Sequence, residues 1–187
     1  MEASGLQEIS NPAGLFLEER SNDASGSVVC ACLEGNRPIL VEVQALVAKT
    51  PYGMPRRTAV GFDYNRVTML LAILERRLGM DFGAYDAYVN VVGGMRVTEP
   101  AADLAVAAAL VSSYRNRPIP HGVLVMGEVG LTGEVRRIGS PERRIKDAMN
   151  LGFKRFVLPM GKLSLDEPCN GVVQVKTLEE ALDKVFA

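Results

Sequence analysis

The sequence predicts a mixed α/β domain, and three observations carry that expectation. Two β-rich runs flank a Gly-Asn turn in "SVVCACLEGNRPILVEVQALV", and apolar residues recur at helical spacing in "DYNRVTMLLAILERRLG". From there to the end, strand-like and helix-like segments alternate with no internal repeat. At 187 residues, 48% hydrophobic and 23% charged, the chain has the size and composition of one globular domain able to bury a full core.

Residues 1–26, rich in Gly, Ser, Asn and acid around the apolar island in "NPAGLFLEER", read as a linker or docking arm, and residues 27–187 as the compact domain. The turn Glu34-Gly35-Asn36-Arg37 closes an antiparallel hairpin. Two prolines and two glycines in "TPYGMPRRTAVG" predict a loop that carries Arg56 and Arg57. Val67, Leu70, Leu71, Leu74 and Leu78 then make one face of a helix with a basic edge at Arg66, Arg76 and Arg77, and Gly79 stops it. "AYVNVVGG" is a short strand. In "VTEPAADLAVAAALVSS", Thr98 or Glu99 is placed to cap, Pro100 takes the first helical position, and the apolar residues after it fall on every side, so this helix belongs at the centre of the core.

"VLVMGEVGLTGEVRRIG" reads as a buried strand, a tight glycine-bearing turn and a second strand. Ser140-Pro141 is placed to cap a helix over "SPERRIKDAMNLG", with Ile145, Ala148 and Met149 inward and Gly152 at its end. "RFVLP" and "VVQVK" are strands, and Thr177 and Glu180 have capping-box spacing at the head of "TLEEALDKVFA".

Composition narrows function as well. No apolar run is long enough to span a bilayer and the first residues are polar and acidic, so the expectation is a cytoplasmic protein with no membrane partner. Cys30 and Cys32 sit in a strand-like run as small hydrophobes, and with Cys169 distant and His121 the lone histidine, no zinc site is expected. The net charge of −1 offers no bulk attraction to nucleic acid, so any such binding requires local patches. The candidates are the Arg56-Arg57 loop and the basic segment 136–155, with Arg136, Arg137, Arg143 and Lys146. Arg136 and Arg137 cannot both face one partner if they lie on a regular strand.

Other chemistry finds little support. No G-x-x-x-x-G-K-[ST] loop is present, and the glycines of "GEVGLTG" fit a hairpin better than a dinucleotide turn. His121 lies in a loop entering a strand, a weak candidate for a triad. Glu99 and Asp103 share a helix face but stand in the first turn, where the helix dipole already accounts for acid.

From "GGMRVTEPAADLAVAAALVSS" through "VMGEVGLTGEVRRIGSPERRIKDAMNLGFKRFVLP" the chain resembles the proteolytic domain of Lon, a Ser–Lys protease. "NPAGLFLEERSNDASGSVV", "RPILVEVQALV", "GFDYNRV" and "GEVGLTGEVRRI" bring it closer to the carboxy-terminal Lon-like domain of the RadA family of bacterial DNA repair proteins, over nearly the whole chain. The resemblance implies a Lon-type fold of short mixed sheets packed against helices. Lon sequences carry the nucleophile in a P-S-A-G segment; here Pro100-Ala101-Ala102-Asp103 stands there, which puts Ala101 at the nucleophile position. The shared order Gly127-Glu128, Leu131-x-Gly133 and Ile138-Gly139 places Arg144 at the position of the lysine base.

Alanine has no nucleophilic atom, and arginine, with a pKa above about 12, cannot act as a base near neutrality. Ser112, Ser113 and Ser140 lie too far along their segments to substitute. Asp103, replacing a glycine, is expected to neutralise Arg144 or to cap amides of its own helix.

The resemblance therefore implies a noncatalytic scaffold, with no cofactor of its own, in an ATPase of recombinational repair and branch migration. It would contribute DNA binding, to single-stranded or branched DNA, and assembly into a homo-oligomeric, hexameric ring. ATP, magnesium and zinc belong to the family's ATPase and zinc-finger parts, and a RecA-type recombinase is an implied partner. Neither the zinc-finger cysteines nor the ATPase motifs occur in these 187 residues, so a carboxy-terminal piece is expected. Two alternatives stay open: a peptidase with an unrecognised site, and an assembly platform that never touches DNA.

Overall fold

The computed structural model describes residues 24–51, 53–165 and 169–187. The arm over residues 1–26 therefore lies outside the described residues up to position 23. Ser25 and Gly26 already bond to the domain: the Ser25 hydroxyl donates to Asn116 Oδ1 at 3.1 Å, and the Gly26 carbonyl accepts from Ala45 N at 2.7 Å.

The architecture is mixed α/β. Strands β1 (Ser27–Glu34) and β2 (Arg37–Lys49) form the expected antiparallel hairpin, with Glu34 opposite Arg37. Strands β3 (Arg57–Val60), β4 (Tyr85–Val91), β5 (Val123–Val125), β8 (Arg155–Pro159) and β9 (Val172–Val175) join them in one seven-stranded sheet of order β3-β4-β2-β1-β5-β8-β9. Strands β6 (Glu128–Val129) and β7 (Val135–Arg136) make a separate small hairpin. The large sheet is mixed, as the resemblance implied. The reason is β1, which pairs antiparallel with β2 on one side and parallel with β5 on the other, fusing the two halves.

A correction concerns residues 57–60, expected as loop. Pro51 and Pro55 precede them, and from Arg57 the chain runs parallel to β4 as a four-residue edge strand, Thr58 opposite Tyr88 and Val60 opposite Asn90. Its shortness hid it, since four residues give too little alternation to read.

Among the described residues four α-helices cover the sheet. Helix α1 (Tyr64–Leu78) starts where the Asp63 carboxylate accepts from Arg66 N and stops at Gly79, whose φ of 65° is the left-handed cap a side chain would disfavour. Helix α2 (Asp103–Arg115) follows a 3₁₀ turn at Pro100–Ala102 and is buried on every side from Asp103 to Ser112. Its run Ala105, Ala107, Ala108 and Ala109 lets the sheet and the neighbouring helices approach closely.

Helix α3 (Pro141–Asn150) begins at Ser140, which caps by position only: at φ 50° and ψ 49° its hydroxyl makes no capping bond. Helix α4 (Leu178–Val185) has the expected cap, Thr177 Oγ1 accepting from Glu180 N at 3.2 Å. Among the described residues no helix is long and apolar enough to cross a membrane.

Strand alternation sorts the core into two layers. On one face Val28, Cys30 and Cys32 of β1 meet α1, α2 and α4; on the other, Val29 and Ala31 join Leu40, Leu124, Met126 and Phe156 under Ile145 and Ala148 of α3.

Gly26 ties the layers to the chain's entry. Its N–H donates to Ser112 Oγ at 2.8 Å, its φ is 87°, and a Cβ there would lie 2.2 Å from the Ala45 carbonyl oxygen. Gly26→Ala is expected to cost at least about 2 kcal/mol, from the left-handed backbone and the clash together. Urea unfolding of the variant beside the wild type measures it.

Candidate functional site

Resemblance directs attention to the head of α2, and the geometry there is an assembly of two ion pairs around buried backbone. Ala101 is buried in the 3₁₀ turn, and its carbonyl accepts from Gly127 N at 2.7 Å, while Leu104 N donates to Gly127 O at 3.0 Å. These two bonds fasten the turn to the segment joining β5 and β6. A Cβ at Gly127 would sit 2.8 Å from Val135 Cγ1, so glycine is what lets that segment lie so close.

Two residues before Ala101, Glu99 meets Arg144. The Arg144 side chain is fully buried, and its guanidinium forks onto the Glu99 carboxylate, with Nη1 to Oε2 at 2.9 Å and Nη2 to Oε1. Nη1 also donates to the Ala31 carbonyl of β1 at 2.5 Å and Nε to the Gly139 carbonyl at 2.8 Å. Glu99 Oε2 accepts in addition from Leu33 N at 2.8 Å. The guanidinium thus joins the central strand, the turn ahead of α2, and the loop ahead of α3. Such a bidentate, charge-assisted arrangement is the arginine geometry that lysine cannot reproduce.

Asp103 has a different partner from the one expected. Its fully buried carboxylate takes the Arg66 guanidinium of α1, with Nε to Oδ1 at 2.5 Å and Nη2 to Oδ2, and accepts from Val129 N at 3.1 Å. It neither neutralises Arg144 nor caps its own helix. Sequence spacing could not choose between two arginines contributed by different helices. Burial pushes the Asp103 carboxyl above the usual carboxylate range, against the Arg66 and Val129 hydrogen bonds that pull it down. The bond to Asp103 raises Arg66 in turn. Three donors converge on these two oxygens, and each favours the charged carboxylate against the cost of burial.

Cys30 and Cys32 face this region from β1 with their Sγ atoms 3.6 Å apart. The contact with Cys32 and full burial push the Cys30 thiol well above its ordinary value, a disposition opposite to that of a reactive cysteine. Ser112 is occupied by Gly26 N and the Arg117 carbonyl, and Ser113 by Val47 N. Both hold strands in place. His121 is exposed in the turn before β5.

The basic candidates separate sharply. Arg57 is not a loose loop side chain: its guanidinium donates to the Tyr85 carbonyl and, at 2.7 Å, to the Phe82 carbonyl. Arg56 is exposed, and its N–H, with the Thr50 hydroxyl, holds the Asp86 carboxyl below the usual range. Arg136 is paired with Glu134 at 3.0 Å and lies 3.9 Å from Glu128. Because β7 ends at Arg136, strand alternation does not extend to Arg137, and both side chains are exposed.

Arg137, Arg143 and Lys146 do gather. They line two adjoining clefts beside α3, joined there by Lys162, with Glu142 the acid common to both among the described residues. Arg143 Nη1 also donates to Asn36 Oδ1 at 2.8 Å. Lys162 escaped the sequence reading because it is distant in sequence from the basic segment and reaches it only through the fold. Among the described residues no three His, Cys, Asp or Glu side chains are placed to hold a metal ion.

Residues 43–162 match the family model described as subunit ChlI of Mg-chelatase. The chain is 48% identical over 187 residues to the DNA repair protein RadA of Halalkalibacterium halodurans, covering 98% of this chain and 40% of that protein. It is 49% identical over 187 residues to RadA of Pseudomonas aeruginosa (100% and 41%) and 47% over 184 residues to RadA of Bacillus subtilis (97% and 40%). The chain spans about two fifths of the length of these curated relatives.

The Arg66–Asp103 pair has a measurable pH signature. Arg66→Met leaves the buried carboxylate without its cation and is expected to cost about 2 kcal/mol near neutral pH, the low end for such a pair because Arg66 is partly exposed. Without Arg66 the folded-state pKa of Asp103 rises further above its unfolded value, so the carboxyl's contribution is present below the unfolded pKa and lost as pH climbs through the folded one. The penalty should accordingly shrink as pH is lowered into the carboxylate range. Denaturant unfolding of both proteins across that range checks it.

Proposed function

This chain belongs to the family described as subunit ChlI of Mg-chelatase and is homologous to the RadA DNA repair proteins, and from that premise we propose that it is a noncatalytic, Lon-like module of a DNA repair ATPase that contributes DNA binding and ring assembly. The observation that carries the noncatalytic reading is the buried Arg144. At the place the Lon resemblance gives to a lysine base stands a guanidinium whose bonds go to Glu99, Ala31 and Gly139, beside an alanine with nothing to attack a carbonyl. In this reading ATP, magnesium and zinc belong to the ATPase and zinc-finger parts of the longer family members. The same reading makes the protein cytoplasmic, with a RecA-type recombinase as partner and the hexamer as its assembly.

DNA binding is best supported at the α3 face. Arg137, Arg143, Lys146 and Lys162 line two adjoining clefts there, a gathering of basic side chains on a chain whose net charge is −1. Counterion release at each phosphate contact gives such a patch its salt dependence, and repetition around a ring multiplies it. The platform reading gains from Arg57 and Arg136, two candidate contacts spent on internal partners.

Two expectations test the proposal. Ala101→Ser restores a hydroxyl without a base, so no peptide hydrolysis is expected from it, in this chain or within the longer protein; serine-reagent-sensitive degradation of casein would restore the peptidase reading. Arg137→Ala with Lys162→Ala is expected to weaken DNA binding equally across sequences and to flatten its salt dependence by about one to two phosphate contacts. Salt titration of the assembled protein, with its mass in solution, measures both DNA binding and assembly. Binding identical to wild type would move DNA off this face, and assembly without binding would favour the platform.

A further inference from the structure

Charge is divided unevenly along this chain. Residues 1–23 carry Glu2, Glu8, Glu18, Glu19 and Asp23 against Arg20, whereas the whole chain has a net charge of −1, so residues 24–187 are net positive. The acidic segment joins the domain at one defined place. Ser25 Oγ donates to Asn116 Oδ1 at 3.1 Å and Gly26 N to Ser112 Oγ at 2.8 Å, which fastens the chain's entry to the carboxy-terminal end of α2.

That place is basic. Arg115 and Arg117 flank Asn116, both exposed, and their guanidinium carbons lie 6.0 and 5.4 Å from the centre of the Phe186 ring. Arg117 Nη2 also donates to the Phe186 carbonyl at 2.5 Å, and Arg155 Nη1 to the Ala187 carbonyl at 2.8 Å. Lys184 is exposed in the last turn of α4. Peptide carbonyls are neutral, so these bonds fix the guanidiniums without cancelling their charge. Among the described residues no Asp or Glu forms an ion pair with Arg115, Arg117, Arg155 or Lys184. The acids of the last turn of α4 and of the chain end are Asp183 and the Ala187 carboxylate. Helix dipoles favour cations at the ends of α2 and α4, but each dipole end offers only about half a charge.

We propose that this surface is held by the chain's own acidic segment, with Glu18, Glu19 and Asp23 as counter-ions to Arg115, Arg117 and Lys184, in competition with nucleic-acid phosphates. The contact follows from charge and tethering, while the competition rests on the DNA-binding reading above. Asp23 is two residues from Ser25, and at about 3.6 Å per residue Glu18 can lie up to about 25 Å from it, so all three acids can reach the arginines that flank the tether. Exposed ion pairs are individually weak. Tethering compensates, because a short flexible connection keeps the acids at a roughly millimolar local concentration. The surface is also separate from the clefts beside α3, since α2 and α4 cover one face of the sheet and α3 the other.

Fluorescence anisotropy of the whole chain with a duplex oligonucleotide, at low and high salt, tests the competition. One variant neutralises the segment (Glu18→Gln, Glu19→Gln, Asp23→Asn), a second the surface (Arg115→Gln, Lys184→Gln), and a third combines them. The segment variant is expected to bind about three- to tenfold more tightly than wild type at low salt, with the gain fading as salt screens the charges. Relative to the surface variant, the combined variant should show no such gain. A gain that persists there would mean that the acids act through net charge alone, and it would overturn the proposal, as would no gain at low salt. Thermal unfolding of the same proteins at low salt reads the contact without DNA. Segment and surface changes should each lower the midpoint by about 1–3 °C, and their effects should not add. Additive or absent shifts would overturn the contact. Wild type and variants that bind no duplex, with non-additive shifts intact, would remove the DNA-binding reading and leave the contact standing.

Discussion

The Arg144 guanidinium is the point on which the rest of the structure converges. A fully buried cation is tolerated only when its charge is matched and its donors are used, and here the match comes from Glu99 while the Ala31 and Gly139 carbonyls take further N–H groups. Those acceptors belong to three pieces of chain that are far apart in sequence: the central strand β1, the turn that launches α2, and the loop that launches α3. Any shift of β1 against either helix would strand a charge in the core. The interaction therefore fixes the register of the two helices across the sheet, which hydrophobic contact alone, being non-directional, specifies less sharply.

The same constraint shapes function. A catalytic pair needs a nucleophile with room beside it for a carbonyl and a base able to give up its proton. At the head of α2 the Glu99–Arg144 fork stands two residues ahead of Ala101, and the turn itself is bonded through Ala101 and Leu104 to Gly127. The second pair, Asp103 with Arg66, fastens α1 to the same turn. What in a Lon protease would be a reaction centre is, in this reading, a structural clamp. On the outer side of α3, Arg143, Lys146 and Asn150 project from the helix whose inner side carries Arg144.

Much of this was legible in the sequence where the signal is local. The Gly35-Asn36 turn, the Gly79 end of α1, the all-round apolar character of α2 and the Thr177 cap each depend on a few neighbouring residues, and each is found as expected. The failures have a common physical cause. Strand β3 exists because β4 offers it an edge, Asp103 pairs with an arginine from another helix, and Ser140 is drawn into a left-handed backbone that its hydroxyl does not exploit. Arg57 read as a free cation until the carbonyls of Phe82 and Tyr85 were placed around it, and Lys162 became a neighbour of Arg137 only through the packing of the segment after β8 on α3. Chain-distant partners leave no trace in spacing.

The central claim is that Glu99 and Arg144 form one structural unit, and a double-mutant cycle on stability addresses it directly. Denaturant unfolding of Glu99→Gln, Arg144→Met and the double variant gives the coupling free energy between the two side chains. The account predicts strong coupling, about 2 kcal/mol or more, with the double variant little worse than Arg144→Met alone, because each single change strands the other charge. Additive losses, or an Arg144→Met protein as stable as wild type, would contradict it.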